Sequence, residues 1–183
     1  MSIPQHFGVF LGRLMPMHNG HNSVIQQIIR EGLTPLIILG GADRSDDRHP
    51  LSVTDRITLI RQVYPESQAI ISSVDDYPSW DDWYTAVIDT IERVVPKDSP
   101  ITMYSHEKDE DIQSFVFAGK QYVNCSSNKV FEVSNIPVRL LPAYHDREGN
   151  VVSATQIRAD KQYARNHLDA RVYNQLKGMQ WWE

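Results

Sequence analysis

Cysteine is nearly absent from this chain of 183 residues: Cys125 is the only one. An internal disulfide and a multi-cysteine zinc site are therefore excluded, and a reducing, cytoplasmic setting is expected, with an intermolecular bridge formally open. No apolar run approaches the roughly 20 residues that a membrane span needs, and Met1 to Gln5 carries no basic, apolar signal. Positive charge is also scarce. With 18 Lys and Arg against 23 Asp and Glu the net charge is −5, which argues against general affinity for nucleic acid, since that rests on neutralising phosphates. Any phosphate chemistry must use local cations. What is present, 41% hydrophobic and 22% charged residues without repeats or low-complexity linkers, describes a globular domain with a core of its own.

Hydrophobic periodicity predicts alternating strands and helices. Phe7–Leu11 reads as a strand, and His21–Glu31 as a helix with Val24, Ile25, Ile28 and Ile29 on one stripe, closed by Gly32. Leu36–Leu39 is a strand buried on both faces. Ser52 and Asp55 form a capping box for a helix lined by Val53, Ile57, Ile60 and Tyr64. A third strand is expected at Ala69–Ser73, then a helix from about Asp81 with Trp83, Val87, Ile91 and Val94 on one face, then a fourth strand at Ile101–Ser105. Asp109–Tyr122 is expected to hold another helix, Val138–Leu141 a fifth strand, and Ser153-Ala154-Thr155 the cap of a helix that leads into a helical C-terminal region. The fold class is α/β: a single doubly wound parallel sheet, Rossmann-like, with a C-terminal helical segment. The ligand of such a sheet lies outside the carboxyl ends of its strands.

Two segments carry chemistry. Gly12-Arg13-Leu14-Met15-Pro16-Met17-His18-Asn19-Gly20-His21 sits where the first strand hands over to the first helix. A glycine there admits a ligand to the backbone, a helix N-terminus presents unpaired N–H groups to an anion, and two histidines add donors. The same histidines can instead serve only as caps. Metal ligation is the weakest reading of them, because no glutamate follows His18 and no third ligand is marked. The second segment is Val151-Val152-Ser153-Ala154-Thr155-Gln156-Ile157-Arg158, again entering a helix. Ser153 or Thr155 is either a plain cap or, with Arg158, part of a second phosphate cradle.

In order, spacing and placement, these segments resemble the H-x-G-H and I-S-x-T-x-x-R signatures of the nucleotidyltransferase superfamily. Gly12-Arg13 through His21 is similar to the G-R-F-Q-P-x-H-x-G-H segment of nicotinamide mononucleotide (NMN) adenylyltransferases, in particular the archaeal type and the type fused to a Nudix hydrolase. Pantetheine-phosphate adenylyltransferases share H-x-G-H but lack the arginine, so Arg13 favours NMN. The resemblance runs from Phe7 to about Tyr163 and includes His49-Pro50-Leu51-Ser52 with Asp55-Arg56, and Ser105 to Asp109. It departs from the family pattern at Leu14, Met15, Met17 and His49-Pro50-Leu51, where Asn-Pro-Phe is usual.

The resemblance implies an enzyme that moves AMP from ATP to NMN, giving NAD and pyrophosphate, with Mg²⁺ carried on ATP and no metal held by the protein. Catalytic roles fall on His18, His21 and Arg158. ATP and phosphate contacts fall on Gly12, Arg13, Gly20, Lys108, Ser153 and Thr155. Asp76 and Trp83, with Asp75 and Trp80 as substitutes, are implied to hold the nicotinamide, whereas periodicity alone also allows Trp83 a place in the core. Arg44 and Arg48 either reach the triphosphate or pair with nearby acids, and Lys108 is otherwise a solvated charge. Trp181-Trp182, Tyr173 and Leu176 cover a core edge or a subunit contact. One nucleotidyltransferase domain is expected over residues 1–183, with a core of about 7–163, a helical segment of about 164–183 and no Nudix domain after Glu183. Its partners are ATP and NMN, with no nucleic acid, no membrane and a homo-oligomer left open. The rival readings are transfer to another phosphomonoester, such as nicotinic acid mononucleotide or phosphopantetheine, and a nucleotide-sensing module without turnover.

Overall fold

A computed structural model describes residues 5–44, 46–47, 49–106, 114–117, 120–123, 130–133 and 136–182. Five parallel strands form the frame: β1 (Phe7–Gly12), β2 (Thr34–Leu39), β3 (Ile70–Ser73), β4 (Ile101–His106) and, after three short strands, β8 (Ile136–Leu141). The short strands are β5 (Ser114–Phe117), β6 (Lys120–Val123) and β7 (Val130–Val133). The helices are α1 (Asn19–Arg30), α2 (Val53–Arg61), α3 (Trp80–Val94), α4 (Ala154–Ala159), α5 (Lys161–His167) and α6 (Ala170–Gly178). The main sheet has the order β3-β2-β1-β4-β8-β7. The chain therefore winds outward from β1 through β2 to β3, then returns to the other side of β1 at β4. That reversal opens a crevice at the carboxyl ends of β1 and β4.

Alternation within the strands separates two apolar clusters. Phe10, Ile37, Leu39, Tyr104 and Leu141 meet α1, α2 and the C-terminal helices on one face. Val9, Leu36, Ile38, Met103 and Val138 meet Val87 and Ile91 of α3 on the other. Helices thus cover both faces, as right-handed crossovers require. Gly8 lets α1 approach the sheet, because a Cβ there would lie 2.3 Å from Ile28 Cγ2. Gly8→Ala is expected to destabilise the fold by about 1–3 kcal/mol through overpacking, read as a lower urea midpoint with an unchanged m-value.

Two expectations are corrected. Residues 114–117 and 120–122, placed in a helix above, lie in strands β5 and β6, an antiparallel pair in the register Ser114↔Val123 to Phe117↔Lys120. Ser114-Phe115-Val116-Phe117 and Gln121-Tyr122-Val123 are rich in aromatic and β-branched residues, which suit a pleated surface better than a helix. The sheet also gains an antiparallel edge strand, β7, paired with β8. In α2, Ile60 is buried in the first cluster, as is Tyr64 just beyond the helix, and Val53 and Ile57 pack half-buried against it as expected, while Arg56 and Leu59 are buried beside them. The C-terminal segment completes the core: Leu168, Val172 and Leu176 are buried in the first cluster, and Tyr173 stacks at a tilt on Trp182, centroids 5.4 Å apart. That places Tyr173 and Leu176 at a core edge.

Candidate active site

The β1–α1 junction is organised by its histidines. His18 is the N-cap of α1 and only 4% exposed, and its Nδ1 accepts from Gly20 N at 3.1 Å. His21 completes a capping box, its Nδ1 accepting from His18 N at 3.3 Å. The rings stack with centroids 3.8 Å apart. Acceptance at Nδ1 leaves the proton of each neutral ring on Nε2, so capping and donation use opposite nitrogens of the same side chain. The cap and the donor roles are compatible. Gly20 makes room for this arrangement, since a Cβ there would come within 2.9 Å of His18 Cε1 and 3.4 Å of Tyr144 Cβ.

Arg158 reaches the same loop from the far end of the sequence. Its Nη1 donates to Met15 O at 2.8 Å and its Nη2 to Thr155 Oγ1 at 3.3 Å. Partial burial pulls its guanidinium below the ordinary value, though arginine remains charged at neutral pH. Ser153 is the N-cap of α4, accepting from Gln156 N at 3.3 Å and donating to Gln156 Oε1 at 3.0 Å. The second motif is thus a capped helix start whose arginine is aimed at the first motif. Trp182 steadies it by donating from Nε1 to Ile157 O at 3.2 Å.

A charged network flanks the crevice on the β2 side. Arg13 donates from Nη1 to His49 Nε2 at 2.9 Å and from Nη2 to Asp76 Oδ2 at 3.4 Å. Arg44 Nε lies 3.2 Å from the same Asp76 oxygen. The Asp76 backbone N–H donates to Asp43 Oδ1 at 2.9 Å, and that bond leads the causes that hold the Asp43 carboxyl below its usual range. Arg44 therefore pairs with an acid that follows β3. Trp83 lies in the first turn of α3, half-buried against the cluster that contains Val87 and Ile91.

Arg56 is the residue that sequence reasoning undervalued. Fully buried, it donates from Nη1 to Arg13 O at 3.0 Å and Gly40 O at 2.8 Å, and from Nη2 to Gly41 O at 3.0 Å. It ties the ends of β1 and β2 together. Desolvation first, then the nearby Arg13 charge, lowers its pKa, while Asp76 opposes the shift. The available signal was an arginine one residue beyond a capping-box aspartate, in phase with Leu59 and Ile60, positions that face the core. Lys108, Arg48 and Cys125 lie outside the described residues. Among the described residues no group of three or more His, Cys, Asp or Glu side chains is placed to hold a metal ion, and no helix is long and apolar enough to cross a membrane.

Residues 9–160 match the cytidylyltransferase-like family. The chain belongs to that family.

A nicotinamide/nicotinic acid mononucleotide adenylyltransferase of Acinetobacter baylyi is 26% identical over 174 residues, covering 92% of this chain and 90% of that protein. A nicotinamide-nucleotide adenylyltransferase of Methanocorpusculum labreanum is 41% identical over 54 residues, covering 29% of this chain and 32% of that protein, so the similarity spans about a third of the archaeal enzyme. Among solved structures, a bifunctional NMN adenylyltransferase/ADP ribose pyrophosphatase from Francisella tularensis superposes with a TM-score of 0.67 at 16% identity, covering 96% of this chain and 49% of that one. At that identity the likeness concerns the fold, which is the Rossmann-like nucleotidyltransferase fold. The present chain spans about half the length of the Francisella protein.

Proposed function

We propose that this chain transfers the adenylyl group of ATP to NMN, forming NAD and releasing pyrophosphate. The observation that supports the reading is the bond from Arg158 to Met15 O, which brings together two segments, 143 residues apart in sequence, on one loop beside the stacked histidines. In this reading a phosphate oxygen of NMN attacks the α-phosphorus of ATP in line. A new P–O bond forms, the bond to the β-phosphate breaks, and no covalent enzyme intermediate is needed. His18 and His21 donate from Nε2 to the phosphates undergoing transfer, and Arg158 stabilises charge gathering on the departing pyrophosphate. Gly12, Arg13 and Gly20 shape the nucleotide side, and Ser153 and Thr155 the helix-end phosphate side. Mg²⁺ enters with ATP, held mainly by phosphate oxygens. Lys108 contributes to the ATP phosphates in the same scheme. One catalytic domain over residues 1–183 and a cytoplasmic site of action belong to the same reading.

The test is to mix the protein with Mg-ATP and NMN, nicotinic acid mononucleotide or phosphopantetheine in turn and to measure pyrophosphate. Pyrophosphate release with NMN is expected. Release with phosphopantetheine alone moves the activity to another acceptor, and nucleotide binding without release with any acceptor leaves a sensing module.

Asp76 and Trp83 are the groups proposed to choose the acceptor. A tryptophan face attracts the cationic pyridinium ring, worth on the order of 0.5–2 kcal/mol, and a carboxylate accepts the amide N–H bonds of NMN. The network around Asp76 favours a second acceptor too. Because Arg13 and Arg44 both bracket its Oδ2, at 3.4 and 3.2 Å, the repulsion that nicotinic acid mononucleotide meets is partly cancelled. The expected result is a preference for NMN of less than about tenfold in kcat/KM, relaxed further in Asp76→Asn. Trp83→Ala raises the KM for NMN with that for ATP nearly unchanged. Equal use of both acceptors by the wild type removes Asp76 from the selectivity argument, and unfolding of Trp83→Ala assigns that ring to the core alone.

A further inference from the structure

We propose that Asp46 and His49 form a positioning relay for Arg13, so that nucleotide binding weakens through a single protonation of His49. The inference rests on the adenylyl-transfer reading for the identity of the nucleotide and for the contact of Arg13 with it.

Arginine has donors and no acceptor, so the 2.9 Å contact between Arg13 Nη1 and His49 Nε2 requires a lone pair on Nε2. The proton of the neutral ring then sits on Nδ1, and Asp46 Oδ1 lies 2.8 Å from it. The same oxygen accepts the backbone N–H of His49 at 3.0 Å, so one carboxylate fixes both the main chain and the tautomer. His49 N is also 2.8 Å from Asp46 O, closing a tight turn around the pair. At 9% exposure the ring is largely shielded from water that would otherwise replace Arg13 as a partner. Arg13 itself is more than half exposed, so without this acceptor its long side chain has only the weaker 3.4 Å contact to Asp76 to hold it toward the crevice.

Protonation reverses the relation. Nε2 then carries a hydrogen facing the guanidinium N–H, and an imidazolium stands against a cation. Among the described residues, the charged groups around the pair are Arg13 after β1, Asp43, Arg44 and Asp46 after β2, Arg56 in α2 and Asp76 after β3. The protonated ring keeps its bond to Asp46 and loses the one to Arg13, which makes the arginine the moving part.

Two substitutions separate the relay from plain packing. His49→Gln puts an amide oxygen near the Nε2 position, which accepts and does not titrate, and His49→Phe keeps the ring shape with no acceptor. Mg-ATP binding to the full chain is followed by calorimetry from about pH 5.5 to about pH 8.5, the range in which histidine titrates. The wild type is expected to bind about tenfold more weakly at the acid end, as loss of one charge-assisted hydrogen bond implies. His49→Gln loses that acid limb, and His49→Phe binds about tenfold more weakly throughout. Titration of ATP itself is common to all variants, so the His49 contribution is read as the difference between the wild-type and His49→Gln pH profiles. Nitrogen NMR of labelled histidine supplies a readout independent of any activity: His49 is expected as the Nδ1–H tautomer, with a shift at Nε2 on Arg13→Ala. An unchanged acid limb in His49→Gln, or an Nε2–H tautomer for His49, overturns the relay. If His49→Phe fails to fold, His49→Gln and the NMR measurement decide. Binding with the expected pH dependence but no pyrophosphate release overturns the adenylyl-transfer reading and leaves the relay standing.

Discussion

On the proposed adenylyl-transfer reading, alanine at His18 or at His21 is expected to lower kcat about 10²- to 10³-fold while the KM for ATP changes much less, because donors aimed at charge that develops in the transition state act on turnover. The two positions differ in what else they do. His18 is the buried N-cap of α1, so His18→Ala also removes the acceptor for Gly20 N, costing roughly 1 kcal/mol of stability. His18→Asn separates these effects. Asparagine is a good N-cap, so it restores the melting temperature, but its short amide does not reach where Nε2 points, so kcat stays low. Steady-state kinetics alongside thermal melts check the pair of expectations. Near-normal kcat in folded His18→Ala and His21→Ala reduces both histidines to caps.

Arg158→Lys is the second large effect, a fall in kcat of roughly 10²-fold despite the retained charge. The guanidinium is held by two acceptors, Met15 O on Nη1 and Thr155 Oγ1 on Nη2, and its remaining donors can meet a phosphate without releasing either. A lysine ammonium is a compact point charge on a flexible stem. It cannot span the same acceptors in the same plane, so it either keeps the loop contact or serves the ligand. Thr155→Val is expected to cost less, since it frees one edge of the fork and leaves the bond to Met15. The measurement is single-turnover pyrophosphate release, which separates chemistry from binding and product release. A lysine variant as fast as the wild type shows that charge alone is enough at this position.

The alternation of strands and helices was legible because it is written in local periodicity. Val24, Ile25 and Ile28 recur on one helical stripe, and Leu36 to Leu39 is apolar on both faces. The placement of His18 and His21 at a strand-to-helix junction was legible for the same reason, as was Ser153 as a cap. Residues 114–117 and 120–122, for which the sequence suggests helix, are strands. Short strands such as β5 and β6 gain their stability from a partner strand, and sequence-local patterns do not report who pairs with whom.

By itself, then, the sequence determined the class of sheet, the strand-to-helix junction at its carboxyl edge, and the residues that cap the helices there. Those follow from helical and strand periods and from cap chemistry, all of which act within a few residues. Only the tertiary structure decided how distant residues share that crevice. Arg158 belongs to the first motif because its fork closes on Met15 O; Arg56 turns inward because the carbonyls of Arg13, Gly40 and Gly41 converge on it; and Arg13 is aimed by His49 and Asp46. These are contacts between strand ends that become neighbours only when the parallel sheet forms. No sequence spacing encodes them, since the geometry that satisfies a buried or half-buried guanidinium exists only once the carbonyls and side chains around it are fixed.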